Sequence, residues 1–171
     1  MLLESPRLKG ALVKSISATT RVQRPGEQHG RDYLFISPNM FRYKINAGHF
    51  LEWQKVFDNY YGTPKKTVKE LLSSGKHVLL CIDVKGAKVV HRVFPDAVSV
   101  FIKTPSLAVL KQRLEHRDQD SHESRALRLK IARQELKEAK HYNFQIVNDR
   151  LDTAYRQLEG IVMGALGLGG P

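Results

Sequence analysis

Residues 77–84 read H-V-L-L-C-I-D-V, a run in which almost every side chain is apolar. A strand of that composition is buried on both faces, as in a parallel sheet that is covered by helices. Residues 97–102 form a second run of the same kind. The two runs predict buried strands of an α/β fold, with Cys81 inside the first of them.

Shorter strand-like runs at 12–16, 33–36 and 144–147 alternate with stretches of helical periodicity. This alternation favours a largely parallel sheet with helices between its strands. Each of the first four predicted helices begins at a Ser-Pro or Thr-Pro pair or at a capping box, and two of the helices end at a glycine. The predicted helices begin at Ser37-Pro38, Thr63-Pro64, Thr104-Pro105 and the capping box 120–123, and a last one spans 151–163.

The 171 residues are enough for one domain with a substantial core. The formal net charge of +11 fits nucleic acid, an acidic membrane surface or small phosphorylated ligands as partners. The basic residues are dispersed without interleaved aromatic residues, which disfavours nucleic acid, and a solvated lysine surface is the simplest alternative. The single cysteine, the lack of a membrane-length apolar stretch and the lack of a signal segment favour a cytoplasmic protein.

Residues 15–33 read S-I-S-A-T-T-R-V-Q-R-P-G-E-Q-H-G-R-D-Y, a stretch too polar for a core. Arg21 and Arg24 can bind phosphate oxygens through their forked guanidinium groups, and the Tyr33 hydroxyl adds a neutral donor. Any one of these residues alone is more simply read as part of a surface loop. The density of such groups favours a phosphate site.

Glu52 lies among apolar neighbours in F-L-E-W, and N-Y-Y-G-T-P follows it at 59–64. A carboxylate offers two acceptors to the two adjacent donors on the Watson–Crick edge of guanine. Adenine presents an acceptor at that edge, so the same carboxylate would reject it. Glu52 is therefore a candidate for reading a guanine base.

Arg113 and Arg117 are four residues apart on one predicted helix face, and Arg128 follows across a polar loop. Three arginines around a loop could close over a transferring phosphoryl group, whose charge spreads onto its oxygens. A solvated face paired with Glu115 and Asp118 explains the same residues without any ligand.

The chain closely resembles the guanylate kinase family, which phosphorylates GMP with ATP. The resemblance runs from about residue 15 to residue 162 and rests on motifs in family order, which are S-x-S-A-T-T-R-x-x-R-P-G-E, G-x-D-Y-x-F, F-L-E-W, N-Y-Y-G-T-P, I-D-V-x-G-A, F-P-D-A and V-N-D. It implies one P-loop kinase-like domain over 1–171, with a parallel sheet core and helices on both faces. It also implies a GMP-binding subdomain at about 19–76 and a lid at about 114–126.

The resemblance assigns roles to individual residues. The implied GMP site comprises Ser17, Arg21, Arg24, Glu27, Tyr33, Glu52, Tyr61, Thr63 and Asp83. The implied ATP site comprises Arg113, Arg117, Arg128 and Asn148, and Arg21 joins the three arginines as a catalytic group. Mg²⁺ is implied as the cofactor that accompanies ATP, with no metal ligand assigned in the protein, and the substrates imply a role in purine nucleotide metabolism.

The sequence departs from the family pattern at its beginning. Met1–Glu4 read as the last turn of a helix that Ser5-Pro6 stops, and no G-x-x-x-x-G-K-[ST] phosphate loop occurs anywhere in the chain. We expect the first strand and the P-loop to be missing, and Met1 to be an internal methionine of a longer protein.

Smaller departures lie near the phosphates. Cys81 stands where the family usually has the first acid of D-I-D, and Lys85 replaces a usual glutamine. His116 and Asp118 flank Arg117 where glycines are usual. These changes predict an altered lid and one carboxylate fewer near the phosphates and the metal.

The sequence is also compatible with two other functions. One is a non-catalytic guanylate-kinase-like module that binds a protein partner, and the other is a basic nucleic-acid-binding protein with steep salt dependence. An intact GMP site argues against the first. With its GMP residues present and no P-loop, this chain is expected to bind GMP well and ATP poorly, which calorimetry with each nucleotide would measure. Tight ATP binding without GMP binding would contradict the assignment of the sites.

Overall fold

The computed structural model describes residues 2–115 and 122–168. These residues fall into two compact units, one of Leu3–Ala97 and the other of residues 98–168 with Leu2. The strands within the described ranges are β1 Leu12–Lys14, β2 Ala18–Thr19, β3 Leu34–Phe35, β4 Phe50–Val56, β5 Asn59–Pro64, β6 His77–Leu79, β7 Val100–Lys103 and β8 Phe144–Val147. The helices there are α1 Pro38–Asn46, α2 Lys65–Ser73, α3 Val84–Val93, α4 Leu107–Glu115, α5 His122–Glu138 and α6 Leu151–Ala165, with 3₁₀ turns at Leu2–Glu4 and Ala139–His141.

The largest sheet of the first unit has the strand order β3-β2-β5-β4. Strands β2 and β3 are parallel, whereas β2 pairs with β5 and β5 pairs with β4 in antiparallel fashion. The hairpin between β4 and β5 turns at Phe57, whose φ of 55° is left-handed. This sheet is mixed because a tight hairpin can join only antiparallel strands. The sequence predicts a largely parallel sheet and does not predict this hairpin.

The two faces of the mixed sheet differ in chemistry. On one face the Phe41 ring, fully buried, stacks on Phe50 with ring centroids 4.4 Å apart. Gly62 makes room for both rings, since a Cβ there would lie 2.9 Å from the Phe50 ring. The pairs Thr19–Tyr61 and Glu52–Thr63 therefore point to the opposite face, because successive residues of a strand alternate in direction.

The run 77–84 is a strand over only its first three residues. Strand β6 pairs in parallel with β1 from Leu12–His77 to Lys14–Leu79, and the chain then leaves the sheet. Asp83 ends the run as the N-cap of α3, and its Oδ1 accepts a hydrogen bond from the Gly86 amide at 2.7 Å. The predicted strand to residue 84 is therefore wrong, and Cys81 is exposed.

Of three predicted helix starts, one is confirmed, one is wrong in part and one lies partly outside the described residues. Helix α1 begins as predicted, with the Ser37 hydroxyl accepting from the Met40 amide. The prediction that Thr63-Pro64 caps a helix is wrong for Thr63, which lies within strand β5 and is fully buried. Pro64 ends that strand and is the N-cap of α2, without a side-chain cap hydrogen bond. The capping box 120–123 reaches outside the described residues.

The second unit contains the parallel pair β7–β8 with α4, α5 and α6. Strand β8 matches the predicted run at 144–147, and Ile146 at its centre is buried. Helix α4 starts after Ser106, whose hydroxyl accepts from the Val109 amide, rather than at Thr104-Pro105. No helix among residues 2–115 and 122–168 combines the length and apolar character needed to cross a membrane.

Candidate nucleotide site

Arg21 lies directly after β2 and is held in place by an acidic partner. Its Nη2 donates to Glu27 Oε1 at 2.7 Å, and both side chains are mostly shielded from solvent. The second oxygen of Glu27 accepts from the Arg24 backbone amide at 2.8 Å. Each oxygen of Glu27 thus accepts one hydrogen bond from the loop, so this carboxylate orients Arg21 and the backbone at Arg24.

Aromatic rings form the wall beside Arg21. Its guanidinium carbon lies 5.5 Å from the centre of the Tyr33 ring and 5.8 Å from that of Phe35. The Tyr33 and Tyr61 rings meet edge to face at 6.0 Å. The hydrogen bond to Glu27 is the main cause that raises the pKa of Arg21, and Tyr61 adds to it. A permanent cation with two phenol hydroxyls beside it can bind a phosphate group.

Glu52 forms the second part of the site, on the same face of the sheet. Its side chain is only 6 % exposed, and its Oε1 accepts a hydrogen bond from the Thr63 hydroxyl at 2.5 Å. Burial is the main cause that raises the pKa of this carboxyl, the Thr63 hydroxyl lowers it, and Asp83 raises it further. A buried carboxylate is a selective acceptor for a pair of N–H donors.

Gly86 lets helix α3 approach the Glu52 carboxylate. A Cβ at this position would lie 2.6 Å from Glu52 Oε2 and 3.4 Å from Asp83 Oδ1. The first turn of α3 thus brings the carboxyl groups of Glu52 and Asp83 to one place, with Gly86 between them.

Strand β5 joins the two parts of the site. Tyr61 on the phosphate side and Thr63 on the Glu52 side are two residues apart and point to the same face. Two residues of a strand span about 7 Å, so a ligand with a phosphate at one end and a ring with N–H donors at the other could contact both.

Comparisons with known proteins identify the family. The sequence profile described as Guanylate kinase matches residues 2–165. The chain belongs to the guanylate kinase family. It is 47% identical to the guanylate kinase of Nitrosospira multiformis over 148 residues, which are 86% of this chain and 70% of that protein. It is 44% identical to the guanylate kinase of Symbiobacterium thermophilum over 163 residues, 95% of this chain and 75% of that protein.

A solved structure gives the same result for the fold. The crystal structure of guanylate kinase from Anaplasma phagocytophilum matches with a TM-score of 0.77 and 32% identity, over 90% of this chain and 76% of that one. The guanylate kinase fold, the ATP:GMP phosphotransferase class and the nucleotide substrates expected from the sequence are thereby confirmed at the level of the family.

Of the arginines that the guanylate kinase resemblance assigns to ATP, Arg113 and Arg128 lie in the second unit. Arg113 on α4 donates from Nη1 to the Asn148 carbonyl at 2.8 Å and from Nη2 to the Asp149 carbonyl at 3.1 Å. Arg128 lies on α5 and is partly buried. Arg117 lies outside the described residues. The structure thus joins Arg113 to the loop that contains Asn148.

The predicted GMP residues lie in the first unit. The structure brings six of them into direct contact as the pairs Arg21–Glu27, Tyr33–Tyr61 and Glu52–Thr63. The side chain of Arg24 is exposed, and Ser17 contributes its carbonyl oxygen to the Leu34 amide. Phe35 and Gly86 were not singled out, although the motifs G-x-D-Y-x-F and I-D-V-x-G-A contain them.

Gly86→Ala is expected to damage the Glu52 end of the site. The new methyl group would overlap Glu52 Oε2, and forced overpacking of this kind costs about 1–3 kcal/mol of stability. GMP affinity should fall with it, because Glu52 must move. Urea unfolding and calorimetry measure the two effects.

Gly160→Ala is the matched control. It lies inside α6 with nothing within 4 Å of the added Cβ, so it should gain about 0.5–1 kcal/mol of stability and leave GMP affinity unchanged. Equal behaviour of the two variants would contradict the close approach of α3 to Glu52.

Proposed function

We propose that this chain binds GMP on the polar face of the mixed sheet. Arg21, Arg24, Tyr33 and Tyr61 bind the phosphate, with Glu27 orienting Arg21. Glu52 accepts from N1–H and the exocyclic amine of guanine, next to Thr63, Ser17 and Asp83. The observation that carries the proposal is the buried Glu52 carboxylate, which has one oxygen bonded to Thr63 while burial and Asp83 disfavour its charge.

The proposed reaction is transfer of the γ-phosphoryl group of ATP to the phosphate of GMP. Arg113, Arg117 and Arg128 act on the ATP phosphates and on the charge of the transferring group, and Asn148 lies near the adenine. Arg21 acts on the receiving phosphate. The protein contributes positioning and charge, since phosphoryl transfer requires little covalent chemistry from the enzyme.

Mg²⁺ is part of the proposal because it neutralises the phosphates of ATP when it is bound to them. Among residues 2–115 and 122–168, no three side chains of His, Cys, Asp or Glu come together as a metal site. We propose that the metal binds to the ATP phosphates, and we assign it no ligand in the protein.

We also propose that residues 19–76 act as the GMP-binding subdomain and 114–126 as a lid within a single guanylate kinase-like domain, and that the protein acts in the cytoplasm. Residues 116–121 of that lid lie outside the described residues.

The choice of base tests the proposed GMP site. GMP should bind more tightly than IMP, which lacks the exocyclic amine, and IMP more tightly than AMP, which also lacks N1–H. A hydrogen bond to a charged group contributes about 1.5–3 kcal/mol, so each step should cost about tenfold or more in affinity. Calorimetry with the three nucleotides gives the order directly. Equal affinities would show that Glu52 does not face the base, and an assay of GDP formation from ATP and GMP tests the reaction itself.

A further inference from the structure

Strand β3 is an edge strand of the mixed sheet, and a backbone amide on its unpaired edge donates to a histidine side chain. The amides of Leu34 and Ile36 donate to the Ser17 and Thr19 carbonyls of the neighbouring chain segment, at 2.9 and 3.0 Å. The amide of Phe35 lies between them and points the other way, because alternate residues of a strand face opposite edges. It donates at 3.2 Å to Nδ1 of the His29 imidazole.

We propose that His29 is a positioning residue for the phosphate half of the GMP site, acting as the acceptor that holds the free edge of β3. This inference rests on the proposed function of that site. His29 itself is exposed and touches neither the phosphate residues nor Glu52 through any hydrogen bond of the described contacts.

The loop before β3 presents His29 to this amide. Gly30, with a φ of +81°, donates its amide to the Tyr33 carbonyl at 2.9 Å, and the Asp32 carboxylate accepts from the Gln28 amide at 2.8 Å. These bonds fold residues 28–33 into a tight turn. The imidazole then reaches over the turn to the amide of Phe35, and its ring lies 6.4 Å from the Phe35 ring.

The link from His29 to the phosphate site runs through two rings. Tyr33 and Phe35 lie on either side of Leu34, so both point to the same side of the edge strand. Both rings contact the Arg21 guanidinium, at 5.5 and 5.8 Å. Without the acceptor at position 29, the Phe35 amide would lose this hydrogen bond and would be solvated by water. The edge strand that carries the two rings would then be more mobile.

The role of His29 as an acceptor can be separated from its bulk. An imidazole nitrogen accepts only when it carries no proton, and Asn Oδ1 stands at the same distance along the side chain as His Nδ1. His29→Asn therefore keeps the acceptor, whereas His29→Gln moves the amide oxygen one bond further out and His29→Ala removes it.

The experiment measures the GMP and guanosine affinities of the three variants in the 171-residue chain. His29→Ala and His29→Gln should weaken GMP binding about three- to tenfold, the effect of one hydrogen bond, while His29→Asn stays within about twofold of the unchanged protein. Guanosine has no phosphate, and its affinity, followed by NMR titration, should not change in any variant. Thermal unfolding identifies any variant that has simply lost its fold.

The outcomes distinguish this inference from the proposed function. If the unchanged chain fails to bind GMP, the proposed function is wrong. If it binds GMP and His29→Ala binds equally well, or if Asn rescues no better than Gln, then His29 does not position the site. An equal loss for guanosine would mean a general structural role and would also overturn the inference.

Discussion

Arg21→Ala is expected to weaken GMP binding by about 10- to 150-fold, the effect of losing a charged hydrogen-bond partner of the phosphate. The Nη2 of this guanidinium donates to Glu27 and its Nη1 donates to the Val22 carbonyl, and the Tyr33 and Phe35 rings lie beside it. The site therefore holds its cation in place before the ligand arrives, so little entropy is lost on binding. Removing it leaves the ligand phosphate without that partner and Glu27 without its counter-ion.

Arg21→Lys should recover only a small part of the loss. An ammonium group is a point charge without the planar fork that lets arginine serve Glu27 and a phosphate at once. Arg42→Ala is the matched control, since Arg42 is exposed on α1 and, within residues 2–115 and 122–168, its side chain hydrogen-bonds only to the Asn39 side-chain oxygen. Its GMP affinity should stay unchanged, as should the guanosine affinity of Arg21→Ala. A drop of equal size for guanosine would place Arg21 outside the phosphate site.

The sequence predicts the elements that local signals determine, such as a helix cap or a short apolar run. It predicts less well the elements whose ends depend on tertiary contacts. Ser37-Pro38 gives a helix start in the predicted place, and the run at 144–147 is a strand as predicted. The run at 77–84 is predicted less well, because the strand ends at Leu79 and Asp83 begins α3 as its N-cap. Periodicity alone cannot show that a polar residue at the end of an apolar run is a helix cap.

The candidate site, like the fold, is predictable only in part from the sequence. The residues proposed for the GMP site can be picked out as a set, because their motifs keep the order and the chemistry of the family. Their partners are not, since they depend on tertiary contacts. Thr63 looks like a helix cap in sequence, yet its buried hydroxyl donates to Glu52. Arg113 looks like a phosphate ligand, yet in the structure it donates to two backbone carbonyls.

Glu52→Gln is expected to weaken GMP binding by about 1–3 kcal/mol, or roughly 5- to 150-fold, while AMP binding hardly changes. Glutamine keeps the shape of the side chain and can still accept from Thr63, but it loses one of the two acceptors that face N1–H and the exocyclic amine of guanine. Calorimetry with GMP and AMP measures the difference. An equal loss for both nucleotides would mean that Glu52 serves the structure and does not read the base.

The same substitution should make the free protein more stable at neutral pH. Burial and Asp83 raise the pKa of the Glu52 carboxyl above its value in the unfolded chain, so the ionised form is less favourable in the folded state. The folded state binds this proton more tightly, and the stability of the unchanged protein should therefore rise as the pH falls through the raised pKa. Glutamine has no charge to bury and lacks this dependence.

Thermal unfolding midpoints of the two proteins between pH 5 and pH 8 test this consequence. The advantage of Glu52→Gln should be largest at the alkaline end and should shrink towards the acid end. A substitution that weakens GMP binding and raises stability would show that the buried carboxylate is kept for recognition at a cost in stability. A less stable Glu52→Gln protein at every pH would instead mean that the ionised carboxylate, through Thr63 and its neighbours, holds the sheet together.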